Sequence, residues 1–298
     1  MSLRGRYVID RIKRAVHRHL KMPVPPYGDP RYWEQVYQTM ETASMGHLNP
    51  ETGRLDFDDS FEWGGVSLPE LLQYQYQPVI LGQDQGDYAS SSTVEATSIS
   101  TTFGETLGVS PLEDHYQEEN KQQILMLGCG NSKLGEQMVD EGWRGPIIQV
   151  DIAKQCLEMI ARRTHHDSSR LQFVEDDATQ LASFSKDTMD ATIDKGLIDA
   201  LFCADEYNQC TDVMKSVLRT LKPGGVFCLF SLSRPEFLLP KILPVKGPNA
   251  VNFLQPGKPT WTGLQMQQVS DVGRGILIYR FEKSSQPNLK KKKVKKRQ

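Results

Sequence analysis

The sequence predicts an α/β domain with a doubly wound, mostly parallel sheet, and three observations carry that reading. A short apolar run at 124–127 ends on a glycine turn and passes into a helical pattern from about Ser132. A second apolar run at 147–150 delivers an acidic residue, Asp151, to its own end. Strand-sized and helix-sized segments then alternate as far as residue 230, the pattern of parallel strands joined by crossover helices with both faces covered.

Each element follows in order. Residues 1–26 form a basic extension in which Val8, Ile12 and Val16 recur at helical spacing until Pro23-Val24-Pro25-Pro26 stops the pattern. Its arginine-rich start also resembles an organellar presequence, although Asp10 and the scarcity of serine count against that. Tyr27-Gly28-Asp29-Pro30 is a turn leading into a helix whose Trp33 and Tyr37, four residues apart, make one aromatic face. Trp63 follows, then a short proline-led helix near 68–72. These aromatic residues suit core packing, or else a lid over a ligand. From 82 to 116 the chain is rich in Ser, Thr, Gln, Gly and acids, a composition that cannot build a packed core and reads as a disordered insertion.

Beyond the glycine turn the pattern predicts a helix over 153–163, a strand over 171–174, a strand over 191–193, the turn Asp194-Lys195-Gly196, a helix over 205–221 and a strand over 226–230. The proline-rich stretch 233–257 reads as a long surface connection, and strands near 264–269 and 275–281 close the domain. The main domain is therefore expected over 27–283, followed by a lysine-rich tail over 284–298.

The formal charge of −2 conceals a segregation. With the 14 cations of the two ends and Asp10 set aside, 21 basic residues face 36 acidic ones in the body of the chain. An acidic body disfavours nucleic-acid binding by the folded domain and suits a basic protein substrate, or serves only solubility. No apolar run reaches about 18 residues, so no membrane span is expected. The five cysteines show no C-x-x-C spacing and sit among apolar neighbours. They read as buried thiols of a reducing compartment, with no disulfide frame and no zinc site. Cytoplasm is expected, or nucleus through the basic tail.

The chemistry lies at the strand ends, where an α/β sheet binds its ligands. Gly128 and Gly130 let the backbone of Gly128-Cys129-Gly130-Asn131 approach a ligand, and the following helix start favours an anionic group. Asp151, about 20 residues on, is placed to accept ribose hydroxyls, with Ile152 beside it. Asp177 and the backbone of Ala178 follow the third strand, where they can read an adenine edge, and Asp194 follows the fourth. An adenosine cofactor fits. A dinucleotide would need glycine at 133, where this chain has Lys133, so a methyl donor is favoured over NAD.

These motifs resemble the class I, seven-strand S-adenosylmethionine-dependent methyltransferases, and within them the family of eukaryotic elongation factor 1-alpha lysine methyltransferases. Leu127-Gly128-Cys129-Gly130-Asn131-Ser132, Asp194-Lys195-Gly196-Leu197-Ile198-Asp199-Ala200-Leu201, Leu221-Lys222-Pro223-Gly224-Gly225, the aromatic stretch from Tyr32-Trp33 to Tyr37, and Glu62-Trp63 carry the likeness. The resemblance implies a seven-stranded Rossmann-like sheet with an antiparallel edge strand and S-adenosylmethionine as cofactor. It places Gly128 and Gly130 at the methionine moiety, Asp151 on the ribose, Asp177 at adenine, and Asp194 with Lys195 at the transfer site. Leu197 departs from the family's usual threonine, Asp176 stands where an apolar residue is usual, and the 82–116 insertion has no counterpart. A protein acceptor, an elongation factor among the candidates, is the first expectation; a small-molecule acceptor and a noncatalytic cofactor-binding module are the alternatives.

Overall fold

The computed structural model describes residues 25–44, 77–78, 122–143, 145–243, 260–269 and 276–284. The basic extension before residue 25, Trp63, the helix expected near 68–72, the 82–116 insertion and the lysine-rich tail lie outside the described residues.

Eight strands form one sheet: β1 (Gln77–Pro78), β2 (Ile124–Leu127), β3 (Ile147–Asp151), β4 (Leu171–Glu175), β5 (Met189–Lys195), β6 (Leu221–Ser231), β7 (Trp261–Val269) and β8 (Ile276–Lys283). Their order is β1-β7-β8-β6-β5-β2-β3-β4. The pairs β2–β3, β2–β5, β3–β4 and β5–β6 are parallel, whereas β8 runs antiparallel to β6 and β7 on either side. The seven-stranded, mostly parallel sheet is as expected. Its antiparallel strand lies between β6 and β7, and the two-residue β1 adds an antiparallel pairing at the rim.

Alternation along the central strands divides the core into two layers. Ile124 and Met126 of β2 face the layer holding Met138, Met159 and Tyr37, while Leu125 and Leu127 face the layer holding Val213, Leu238 and Trp261. Among the described residues six helices cover the faces: α1 (Pro30–Ser44), α2 (Leu134–Asp140), α3 (Lys154–Arg163), α4 (Leu197–Cys203), α5 (Tyr207–Thr220) and α6 (Pro235–Ile242). Cys156, Leu157, Met159 and Ile160 bury one stripe of α3; Cys210, Val213, Met214, Val217 and Leu218 do the same for α5. Among the described residues no helix is long and apolar enough to cross a membrane.

Three segments differ from the sequence expectation. Leu197–Cys203 is a helix of its own, and α5 starts only at Tyr207 after a break. The connection expected over 233–257 contains α6, with Pro235 in its first turn and Pro240 inside. Burial of Leu238, Leu239 and Ile242 outweighs the hydrogen bond that Pro240 cannot donate. β6 begins five residues early: Met189 pairs with Leu221 and Ala191 with Val226, so the Lys222-Pro223-Gly224-Gly225 turn is absorbed as a register shift. There Lys222 Nζ meets both Asp190 oxygens at 2.7 and 2.8 Å.

Candidate functional site

Strand register gathers the predicted residues along one edge. Leu127 lies opposite both Val150 and Asp194, Asp151 opposite Glu175, and Asp194 opposite Leu229. The glycine turn, Asp151, the 176–178 loop and the end of β5 therefore share the carboxyl edge of the sheet, where a doubly wound fold binds its ligand.

The turn itself needs its glycines. Gly128 and Gly130 have φ of 51° and 54°, in the left-handed region. A β-carbon on Gly128 would stand 2.9 Å from Leu197 Cβ, the residue that departs from the family's threonine, so turn and α4 are in direct contact. The Gly130 N–H donates to Asp151 Oδ2 at 2.9 Å, and Ala153 N–H to Asp151 Oδ1 at 3.0 Å. Burial raises the Asp151 carboxyl above its ordinary range, opposed by the Ala153, Gly130 and Ile152 N–H groups. Asp151 thus joins the turn to the start of α3, with Ile152 half-buried beside it.

From behind, Arg163 in the last turn of α3 donates to Asn131 O at 3.0 Å and Ser132 O at 3.1 Å, and pairs with Glu136 of α2 at 2.5 Å. Ser132 accepts the Leu134 N–H at 3.1 Å and helps start α2. Cys129, within the turn, is buried, and burial pushes its thiol well up, so it is a neutral packing group.

From above, α1 closes over the turn. Trp33 stacks between Tyr27 and Tyr37, with ring centroids 5.6 and 6.2 Å away, and donates Nε1–H to Tyr27 O at 2.8 Å. Tyr37 is buried, and its hydroxyl lies 3.0 Å from where a Gly130 β-carbon would be. Burial, with Cys156, Asp151 and Cys129 nearby, raises its pKa well above the ordinary value. Glu34 anchors this roof by accepting the Lys154 N–H at 2.8 Å and the Gln155 N–H at 3.3 Å. Glu41, farther along, contacts Gln155 and Arg162. On the other side Gly28 packs under Gln209 of α5, so the segment 27–37 crosses from α5 to α3.

Asp177 occupies its expected loop. Its Oδ1 accepts Thr179 N and Thr179 Oγ1 at 2.8 and 2.7 Å, and Oδ2 takes only a 3.4 Å contact from Gln180. Asp176 ties the loop together through Asp177 N, Ala182 N and Ser183 N. Its acid replaces an apolar residue because three backbone donors need it.

Asp194 lies in β5, one residue from its end. It is fully buried, and its two oxygens accept the N–H groups of Gly196, Leu197 and Ile198 at 2.9, 2.9 and 3.1 Å. A carboxylate so placed caps the start of α4. Burial, reinforced by Asp199, raises its pKa to about 7. Lys195 stands half-buried at the last position of β5, where the site opens.

Sequence reasoning missed Glu34, Arg163 and Asp199. The Ala153 N-cap of α3 offers no side-chain oxygen, and that gap is the one signal pointing to an outside cap such as Glu34. Arg163 gave no signal. Asp199, within the quoted Asp194–Leu201 motif, accepts Ser231 Oγ–H at 2.5 Å and Leu232 N–H at 2.7 Å, which fastens α4 to the end of β6.

Residues 118–249 match the family model described as a methyltransferase domain. Over 119 residues the chain is 35% identical to the Drosophila melanogaster eEF1A lysine and N-terminal methyltransferase homolog, covering 39% of this chain and 17% of that protein. Over 127 residues it is 31% identical to the Mus musculus eEF1A lysine and N-terminal methyltransferase, covering 42% and 18%. The chain thus spans less than a fifth of the length of these relatives. A solved structure of a methyltransferase from Methanosarcina mazei aligns over 56% of this chain and 92% of its own, with 16% identity and a TM-score of 0.38.

Proposed function

We propose that this chain, whose residues 118–249 match a methyltransferase-domain family model, is a class I S-adenosylmethionine-dependent methyltransferase that transfers a methyl group to the side-chain amine of a lysine in a protein. The observation that carries the proposal is the Asp151–Gly130 hydrogen bond beneath Tyr37, a ribose acid locked to a glycine turn under an aromatic roof. The lysine acceptor rests on the names of the matched relatives and on the acidic body of the chain.

The residues at this edge fit the cofactor. The Gly128 and Gly130 turn is closely covered by Leu197 and Tyr37, so its approach to a ligand is through backbone alone, and the Asp151 carboxylate can exchange its backbone partners for hydroxyls. The second oxygen of Asp177, which takes a 3.4 Å contact from Gln180, would meet a purine edge in this reading together with the Ala178 backbone. Bound there, the cofactor supplies an electrophilic methyl on a sulfonium.

The chain's own part is positioning and exclusion of water. Tyr37 and Trp33 cover the turn, and Glu34 holds them down. A lysine acceptor must lose its proton, at about 4–5 kcal/mol from its reference pKa at neutral pH. In this reading Asp194, whose oxygens accept three N–H groups at the start of α4, has little capacity left to hold that amine in its charged form.

The test is incubation of the purified chain with methyl-labelled S-adenosylmethionine and recombinant elongation factor 1-alpha, or an extract of its own cells, with Asp151→Ala as control. A labelled lysine found by mass spectrometry in one protein band, absent with the variant, supports the reading. Label confined to small molecules overturns the protein acceptor and leaves the domain assignment standing; an unlabelled reaction despite cofactor binding overturns catalysis.

A further inference from the structure

On the opposite edge of the sheet, where α2 and α3 end, three metal-ligating side chains converge. Asp140 closes α2, and His165 and His166 follow the end of α3. Asp140 Oδ1 lies 3.8 Å from His165 Nε2 and 3.2 Å from His166 Nε2, and all three donor atoms fall within 4.8 Å of one another. The two imidazole rings sit 4.1 Å apart, tilted by 40°.

We propose that Asp140, His165 and His166 bind a first-row divalent metal ion of the zinc class. Ligand bonds of about 2.0–2.2 Å in a tetrahedral site place neighbouring donors about 3.3 Å apart, so the observed separations need only small side-chain adjustments. Two imidazoles and one carboxylate select zinc, cobalt, nickel or copper over calcium and magnesium, which take oxygen donors. His166 Nε2 points to the ligand. It is shut off from water and makes no hydrogen bond, although Asp140 Oδ1 is 3.2 Å away. A metal ion would take that lone pair. The backbone already holds the histidines in place: the Thr164 N–H donates to Ile160 O at 2.8 Å, and the His166 N–H to Thr164 Oγ1 at 3.3 Å. The carboxyl ends of two helices meet here, and their partial negative charge favours a cation. Asp140 and His165 are more than half exposed, so water can complete the coordination.

Such an ion would clamp the far ends of the two helices whose near ends form the glycine turn and the Asp151 corner. Its role is structural and separate from methyl transfer.

The experiment uses the full chain with any affinity tag removed. Zinc is titrated by calorimetry and cobalt by visible absorption, for the wild type, His165→Ala and His165→Ala/His166→Ala; S-adenosylmethionine binding by each variant reports folding. One equivalent of metal, with tetrahedral cobalt bands, is expected for the wild type. Even outer-shell partners of a metal are worth 10–100-fold, so loss of one histidine should weaken binding at least about tenfold. Absence of saturable binding below millimolar metal would overturn the site. So would unchanged binding in the double variant, since the ion would then sit on other residues.

Discussion

The Tyr37 hydroxyl stands 3.0 Å from the place where Gly130 would carry a β-carbon, so the aromatic roof and the glycine turn are fitted to each other. Gly130→Ala should fail twice, through this collision and through a φ of 54° that disfavours any side chain by about 1–2 kcal/mol. Tyr37→Phe in the same chain should recover part of the lost cofactor affinity and none of the backbone strain. Calorimetry on the two single variants and the double one separates the terms; equal affinity for Gly130→Ala and the double variant would remove Tyr37 from the argument.

Asp151→Ala removes the acceptor shared by Gly130 and Ala153 and the carboxylate proposed for the ribose. Cofactor binding should disappear while circular dichroism still shows a folded domain. Binding equal to that of the wild type would refute the site.

Asp194 makes stability and affinity depend on pH near neutrality. Its folded pKa, about 7, lies above the ordinary carboxyl value of 3.8, so the folded state holds a proton that the unfolded state has released. This group's contribution is complete below about pH 4 and declines as pH rises through 7. Urea titrations from pH 5 to 8 should show that decline in the wild type and a flatter profile in Asp194→Asn. A cationic sulfonium nearby favours the ionised carboxylate, so affinity for S-adenosylmethionine relative to S-adenosylhomocysteine should increase between pH 6 and 8. A constant ratio would separate Asp194 from the sulfonium.

Glu34→Ala takes the outside cap from α3 and the anchor from the roof. About 1 kcal/mol of stability should be lost, as for other helix caps, together with an increased KM for the cofactor. Limited proteolysis should cleave within 25–44 sooner than in the wild type. An unchanged cleavage rate would mean that Glu41 holds the helix alone.

Arg163→Met leaves the Glu136 carboxylate in a mostly buried place without its partner. Losing one member of such a pair is destabilising by about 3–5 kcal/mol, and Glu136→Leu added to it should restore most of the loss. Urea midpoints of the three variants give the answer; an additive double variant would show that the pair acts only through the turn carbonyls.

These contacts also explain what could be read from the chain beforehand. β2 and β3 are buried at every position, so β2 appears as an unbroken apolar run and β3 as one broken only by Gln149, with the acid that ends it standing out at the edge. α4 was hidden because its seven residues are nearly all apolar and too few to show a helical period. Pro240 and its neighbouring prolines concealed α6, which exists through burial of Leu238, Leu239 and Ile242. The position of Asp194 was legible and its partners were not: an acid three residues before a helix can serve a ligand or the helix, and the three N–H groups it accepts show that it serves the helix start. Glu34 and Lys154 are 120 residues apart, and no local pattern connects them.

The order in which the chain emerges during synthesis meets a constraint in β8. This strand, which follows all of its partner strands along the chain, takes the place between β6 and β7, and Lys283 at its end reaches Asp187 and the Leu221 carbonyl. Until Ile276–Lys283 has been made, β6 lacks its neighbour on that side and β7 has nothing of the central sheet to join. Nascent chains that already contain every strand-end acid must therefore wait, with an open sheet edge that invites pairing between chains, for a segment that touches none of the proposed chemistry.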